Sequence, residues 1–162
     1  MAQGTFTLFN EFAKSKSDGR IDLDSDVIKA AIVTLQAGGT PTIAATDAVP
    51  TWGAGGTTNL STSEVTAGGG YTAGGVTLTT VTFTLAGAVA TFDSDAIGWT
   101  SAGLGDPTDC KVVVFYSDTA TNKDAIGFLD LTSDGTTAVS LLTGNITVTP
   151  NASGWFATTV NA

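Results

Sequence analysis

Three acidic residues alternate at Asp22, Asp24 and Asp26, the kind of spacing a calcium-binding loop would offer. An EF-hand loop also needs glycine at its sixth position and a carboxylate at its twelfth, where this chain has Val27 and Val33. The motif fails there, and alternation along the wet side of a strand accounts for the three aspartates. Asp93 and Asp95 form a second suggestive pair, because two carboxylates about 5 to 10 Å apart can hydrolyse a glycosidic bond. Their setting, Asp93-Ser94-Asp95, reads instead as a solvated turn. Cys110 is the single cysteine and there is no histidine. The chain thus lacks an intramolecular disulfide and the commonest general base and metal ligand. The Cys110 thiol has only Lys111 beside it to lower its pKa, so it is expected to be a small residue at the start of a strand. The glycines do not form a phosphate-binding loop, since no lysine follows them. No nucleophile, base or metal set emerges, and neither catalysis nor a cofactor is expected.

The elements that would position any site are mostly strands. Val76 and Leu78 alternate with threonines, whereas Val81, Phe83 and Leu85 continue the alternation one residue out of phase. A single-residue shift exchanges the two faces of a strand, so a bulge or bend is expected near Thr79 and Thr80, where the strand leaves one sheet for another. Phe6, Phe9, Phe12, Ala13 and Lys16 recur at helical spacing and predict an amphipathic helix over about 5–16, closed by Asp18-Gly19. Residues 27–36 read as a strand covered on both faces. Residues 111–116, KVVVFY, are the candidate central strand, and they form a hairpin with AIGFLDL at 125–131. Ala88 to Phe92 and Ala96 to Thr100 are expected to flank a turn, Thr136 to Leu142 and Asn145 to Thr149 to make a last pair, and Trp155 to Val160 to end the pattern. Residues 38–75 form a long glycine-rich loop in which Trp52 is either an interface anchor or a lid over the core.

Many short strands with one helix in front predict a mainly β chain, an antiparallel β-sandwich of jelly-roll-like form, as a single domain over 1–162. The net charge of −9 argues against nucleic acid as a partner. Lys29 interrupts the longest apolar run, so about 18 uninterrupted apolar residues are never reached and no membrane partner is expected. The N-terminus lacks a basic segment followed by an apolar run, which predicts synthesis and retention in the cytosol. Charged residues make up only 13% of the chain, a shortage that suggests a surface covered by copies of itself or by a partner.

In order, the aromatic N-terminal segment, DGRIDLDSDVIKAAIV, EVTAGGGYTAGGVTL, FDSDAIGWT and the hairpin VVVFYSDTATNKDAIGFLDL resemble a family of small virion structural proteins of tailed bacteriophages. The likeness runs from Phe6 to Leu131, and GYTAGG at 70–75 is its most specific part. The loop over 38–63 is longer than the resemblance leads one to expect, and the tail beyond Leu131 matches loosely. The resemblance implies a capsid decoration (cement) protein on the outer shell of the virion, made in the host cytoplasm. Its implied partners are the major capsid protein and itself, as a homotrimer. Candidate interface residues are Phe6, Phe9, Phe12, Trp52, Tyr71 and Trp155. A tail or neck component is the alternative within the virion. A carbohydrate-binding jelly-roll module is a further one, and it would use Trp52, Tyr71 and Trp155.

Overall fold

In the computed structural model, which describes residues 2–159, the chain begins extended at Thr7–Leu8 (β1) before Asn10–Ser17 forms the helix α1. Strands follow at Ile28–Val33 (β2), Pro50–Thr51 (β3), Thr58–Asn59 (β4), Val76–Thr77 (β5), Thr82–Ala86 (β6) and Val89–Asp93 (β7). The remaining strands are Ile97–Trp99 (β8), Val112–Ser117 (β9), Ala125–Asp130 (β10), Ile146–Val148 (β11) and Phe156–Thr159 (β12). The chain is therefore mainly β with one α-helix among the described residues.

The principal sheet has the order β1-β10-β9-β2-β5, antiparallel throughout. β9 sits at its centre, as KVVVFY predicts, and all six of its residues are buried. Alternation sends Val113 and Phe115 to one face and Val112, Val114 and Tyr116 to the other, so each face carries its own apolar cluster. Full burial of each such side chain contributes about 1.5–3 kcal/mol. The first face is closed by Trp99 of β8, Phe92 of β7 and Trp155, which directly precedes β12. The second is closed by Leu35 just after β2 and by the long loop, through Ile43, Trp52 and Leu60. That loop is ordered by the parallel pair β3–β4 and by a 3-10 turn at Leu60–Ser63, whose Ser61 N–H is capped by Asn59 Oδ1.

The expected bend is present. β5 pairs with β2 in the principal sheet, Thr80 takes a positive φ of 53°, and β6 then pairs with β7 in the three-stranded sheet. Asp95 fastens the crossover, accepting from Thr80 Oγ1 at 2.6 Å and Thr79 Oγ1 at 3.2 Å. The β9–β10 hairpin also forms as expected.

Four local expectations are corrected. The helix starts at Asn10, because Thr7 and Leu8 pair with Phe128 and Gly127 of β10 and Phe9 N–H donates to the Ile126 carbonyl. Those ladder bonds satisfy backbone groups that an uncapped first helical turn would leave open. Asp22 to Asp26 form a turn and no strand, with Asp22 Oδ1 accepting from Asp24 N–H and Asp26 Oδ2 from Asp22 N–H. Asp93-Ser94-Asp95 is a crossover between sheets, since β7 pairs with β6 and β12 whereas β8 pairs with β11. Leu141–Thr143 is a 3-10 turn, and β11 finds its partner in β8 about fifty residues upstream rather than in its neighbour.

Candidate interaction surface

Five of the six aromatic residues expected at an interface are buried in their own chain: Phe9, Phe12, Trp52, Tyr71 and Trp155. Phe9 packs on Phe128, with ring centroids 5.3 Å apart, on the second face of the principal sheet. Phe12 meets Phe156 edge-on at 5.5 Å on the first face. Trp52 stacks on Tyr116 at 4.9 Å and 10°, which makes it the lid over the core, with its backbone N–H donated to the Lys123 carbonyl. Trp155 packs against Phe115 at 4.8 Å and donates its indole N–H to Ser94 Oγ at 2.8 Å. Phe6 is half-buried, 4.9 Å from Phe115. The helical spacing that linked Phe6 to Phe9 and Phe12 is coincidental, because Phe6 lies on extended chain. These rings are core residues, and none is a free anchor.

Tyr71 shows what the GYTAGG segment does. Gly68 and Tyr71 exchange both backbone hydrogen bonds at 3.0 Å, a tight turn that sends the phenol inward. Its hydroxyl donates to Glu64 Oε1 at 2.8 Å and accepts the Ile32 N–H at 3.0 Å. Glu64 also accepts the Gly74 N–H at 2.5 Å, and Tyr116 donates to the Gly74 carbonyl at 2.8 Å. At Gly75, φ is +72° and a Cβ would run into the Ala30 carbonyl, so glycine is required where the turn meets β2. The segment pins the long loop to the principal sheet.

The exposed apolar surface lies elsewhere, on the β6–β7 hairpin. No ionisable residue occurs from Val76 to Phe92. Phe83 pairs with Phe92, which is fully buried, but the next pair along the same face, Leu85 with Ala90, lies beyond the core. Leu85 is 69% exposed, and Val89, opposite Ala86 on the other face, is 38% exposed. The strands thus outrun the core they start on, and the tip Ala86-Gly87-Ala88 is exposed on all sides. β7 is held on both edges, by β6 and β12, whereas β6 pairs only with β7 among the described strands. Its outer edge is an open row of backbone donors and acceptors with no charged side chain to guard it. At the opposite edge of the same sheet, Thr158 of β12 lines an apolar groove against the N-terminal segment with Leu8, Phe12 and Ala13. Lys16 caps its rim, with Nζ 4.2 Å over the Phe83 ring.

The residues with possible chemistry are placed otherwise. Cys110 is buried just before β9, bridged to Val139, and burial pushes its thiol up to about 11. Asp93 and Asp95 are bound up in the crossover, Asp93 Oδ1 accepting the Ser94 N–H at 2.9 Å. Among the described residues, no group of three or more His, Cys, Asp or Glu is arranged to hold a metal ion, and no helix is long and apolar enough to cross a membrane. Sequence reasoning missed the hairpin as a surface because alternation puts Leu85 on the same face as Phe83, which packs against the core. The signal that could have found it is the run without Asp, Glu, Lys or Arg from Val65 to Phe92, which contains the whole hairpin. No family model, curated protein or solved structure matches this chain.

Proposed function

We propose that this chain is a structural component of a tailed-bacteriophage virion, a capsid decoration (cement) protein on the outer face of the shell. It forms a homotrimer, binds the major capsid protein, and performs no catalysis. It takes neither nucleic acid nor membrane as a partner. The observation that carries this reading is the β6–β7 hairpin, an apolar strand pair reaching past its own core with one edge open. Such an edge is suited to strand addition or to packing against another protein, and has no use in a freely dispersed monomer. The ordered resemblance of the segments from Phe6 to Leu131 supplies the virion context. The acidic balance suits a surface turned toward solvent and away from packaged DNA. The jelly-roll-like form of the sandwich belongs to the same proposal, supported by a principal sheet covered on both faces.

Copy number in purified particles tests the location. A number approaching that of the shell subunits is expected, whereas a handful per particle would point to the tail or neck. Leu85→Asp tests the surface. Leu85 is so exposed that folding stability should change by no more than about 0.5 kcal/mol. Incorporation into particles should fall at least tenfold, a loss of about 1.4 kcal/mol of binding free energy. Full incorporation of the folded variant would remove the hairpin from the interface.

A further inference from the structure

The segment ahead of β1 lies against the end of β10, where the Gly4 N–H donates to the Asp130 carbonyl at 2.8 Å. Gln3 clasps the chain just past β11, its side chain donating to the Thr149 carbonyl at 2.6 Å and accepting the Thr149 N–H at 3.0 Å. The approach is close enough that a Cβ on Gly4 would stand 2.9 Å from the Asp130 Cβ and 3.5 Å from its Oδ2. Asp130 is half-buried there, and its Oδ1 is shut off from solvent without a hydrogen-bond partner among the described residues. An ionised oxygen so placed has lost water and gained no donor in exchange.

The charges around Asp130 make its ionisation harder. Gly135, in the turn after β10, is its other close neighbour, and the same turn carries Asp134. Asp134 accepts from the hydroxyls of Thr132 and Thr137 and from the N–H groups of Thr136 and Thr137. These donors, the Thr137 hydroxyl first, hold its carboxyl well below the usual carboxylate range. Asp134 therefore stays charged while Asp130 titrates. Burial first and the Asp134 charge second push the Asp130 carboxyl above the ordinary 3.8. No cation offsets them: Ala2 to Phe6 has no ionisable side chain, and Lys111, beside the Val112 partner of Asp130, is engaged by Asp109 at 3.1 Å. Two carboxylates four residues apart are thus driven in opposite directions by their surroundings.

We infer that the segment ahead of β1 is a proton-tightened strap: an ionised Asp130 favours its lifting, which returns the carboxylate to water, and a protonated Asp130 favours its closure. With the strap lifted Asp130 titrates near the ordinary 3.8, and with the strap closed it titrates higher. Above the closed-state pKa closure carries the full penalty of a buried charge. The penalty shrinks as pH falls toward 3.8 and is gone below it. Lifting also frees the Asp130 carbonyl on the β10 edge, so the same proton governs how much of that edge is open to another strand. The strap shares no residue with the hairpin and works whatever the hairpin binds.

Hydrogen exchange at the Gly4 amide of the full-length protein, followed by NMR between about pH 3 and 7 and corrected for the intrinsic rate, reads the strap directly. Its protection should rise at least about twofold as pH falls through the Asp130 transition, which the carbon-13 shift of the Asp130 carboxyl locates independently. The Val114 amide at the centre of β9 should show no such rise. Asp130→Asn, which imitates the protonated form, should hold Gly4 at its acid level of protection across the whole range. Asp134→Asn, in the exposed turn, should lower the Asp130 midpoint and flatten the rise, and it carries the test if the Asp130 variant fails to fold. Gly4 protection that is constant or falls in acid would overturn the inference. So would a rise that persists unchanged in Asp130→Asn, because another group would then be its source.

Discussion

The Tyr71 hydroxyl joins three parts of the chain, the turn it sits on, Glu64 of the long loop and the Ile32 N–H of β2. Tyr71→Phe keeps the ring, leaves the buried Ile32 N–H without its side-chain partner and leaves Glu64 Oε1 with the Gly74 N–H alone. The free energy of unfolding should fall by about 1–3 kcal/mol, read as a lower urea midpoint at unchanged slope. Asp106 is the corresponding pin on the other side of the glycine-rich turn. It accepts the Gly70 N–H, Ser101 Oγ and the N–H groups of Ala102 and Gly103. The Gly70 N–H above all, then Ser101, Gly103 and Ala102, hold its carboxyl below the ordinary 3.8 against the opposing effect of burial. A depressed folded-state pKa adds stability that is present above 3.8 and lost as pH falls through the lower folded value. Asp106→Asn should therefore be less stable than wild type at neutral pH, and the difference should narrow below about pH 4. Thermal melts between about pH 2 and 7 check it, and a gap that stays constant with pH would show that the carboxylate charge is immaterial.

Elements are set by where backbone groups find partners, and the N-terminal segment is the clearest case. β1 can lie on β10 only because Gly127 leaves room: a Cβ there would stand 2.5 Å from the Thr7 carbonyl oxygen and 2.6 Å from the Phe6 ring. Gly127→Ala should push β1 off the sheet edge, with a destabilisation of about 1–3 kcal/mol. Hydrogen exchange at the Phe9 amide, which donates to Ile126, should quicken well beyond the change at β9. Uniform quickening would mean that the strain is spread through the sheet. The central strand, its hairpin partner and the bend at Thr79–Thr80 were legible in the sequence because their signals are local, a dense apolar run for the first two and a phase change in alternation for the third. The start of α1 was not, because Phe6, Phe9 and Phe12 satisfy helical spacing while a distant strand claims the backbone before Asn10. The pairing of β8 with β11 was hidden for the same reason. The inward rings were legible as apolar but not as core, since Trp52 and Tyr71 are buried by β9 and β2, which lie far from them in sequence.

Across the whole molecule, charge is unevenly spread, and this bears on how copies meet. The chain carries 15 acidic against 6 basic residues, yet the stretch from Val76 to Phe92 carries no charge. Protomers that associate through the hairpin bring neutral surfaces together while the remainder of each chain repels its neighbours. That repulsion acts over the screening length, which shrinks from about 30 Å at 0.01 M salt to about 8 Å at 0.15 M. Apolar burial at the contact loses little over the same range. The proposed homotrimer should therefore strengthen as sodium chloride is added, and sedimentation equilibrium at fixed protein concentration should show the mean mass climbing toward three chains. In Leu85→Asp the mass should stay near one protomer across the series, because the substitution places a carboxylate in the contact itself. A mass that falls with salt would mean that opposite charges hold the copies together. The self-contact would then have to be sought among the few lysines and the aspartates around them, such as Lys29 and Lys123 beside Asp118, and the hairpin would be left for the shell alone.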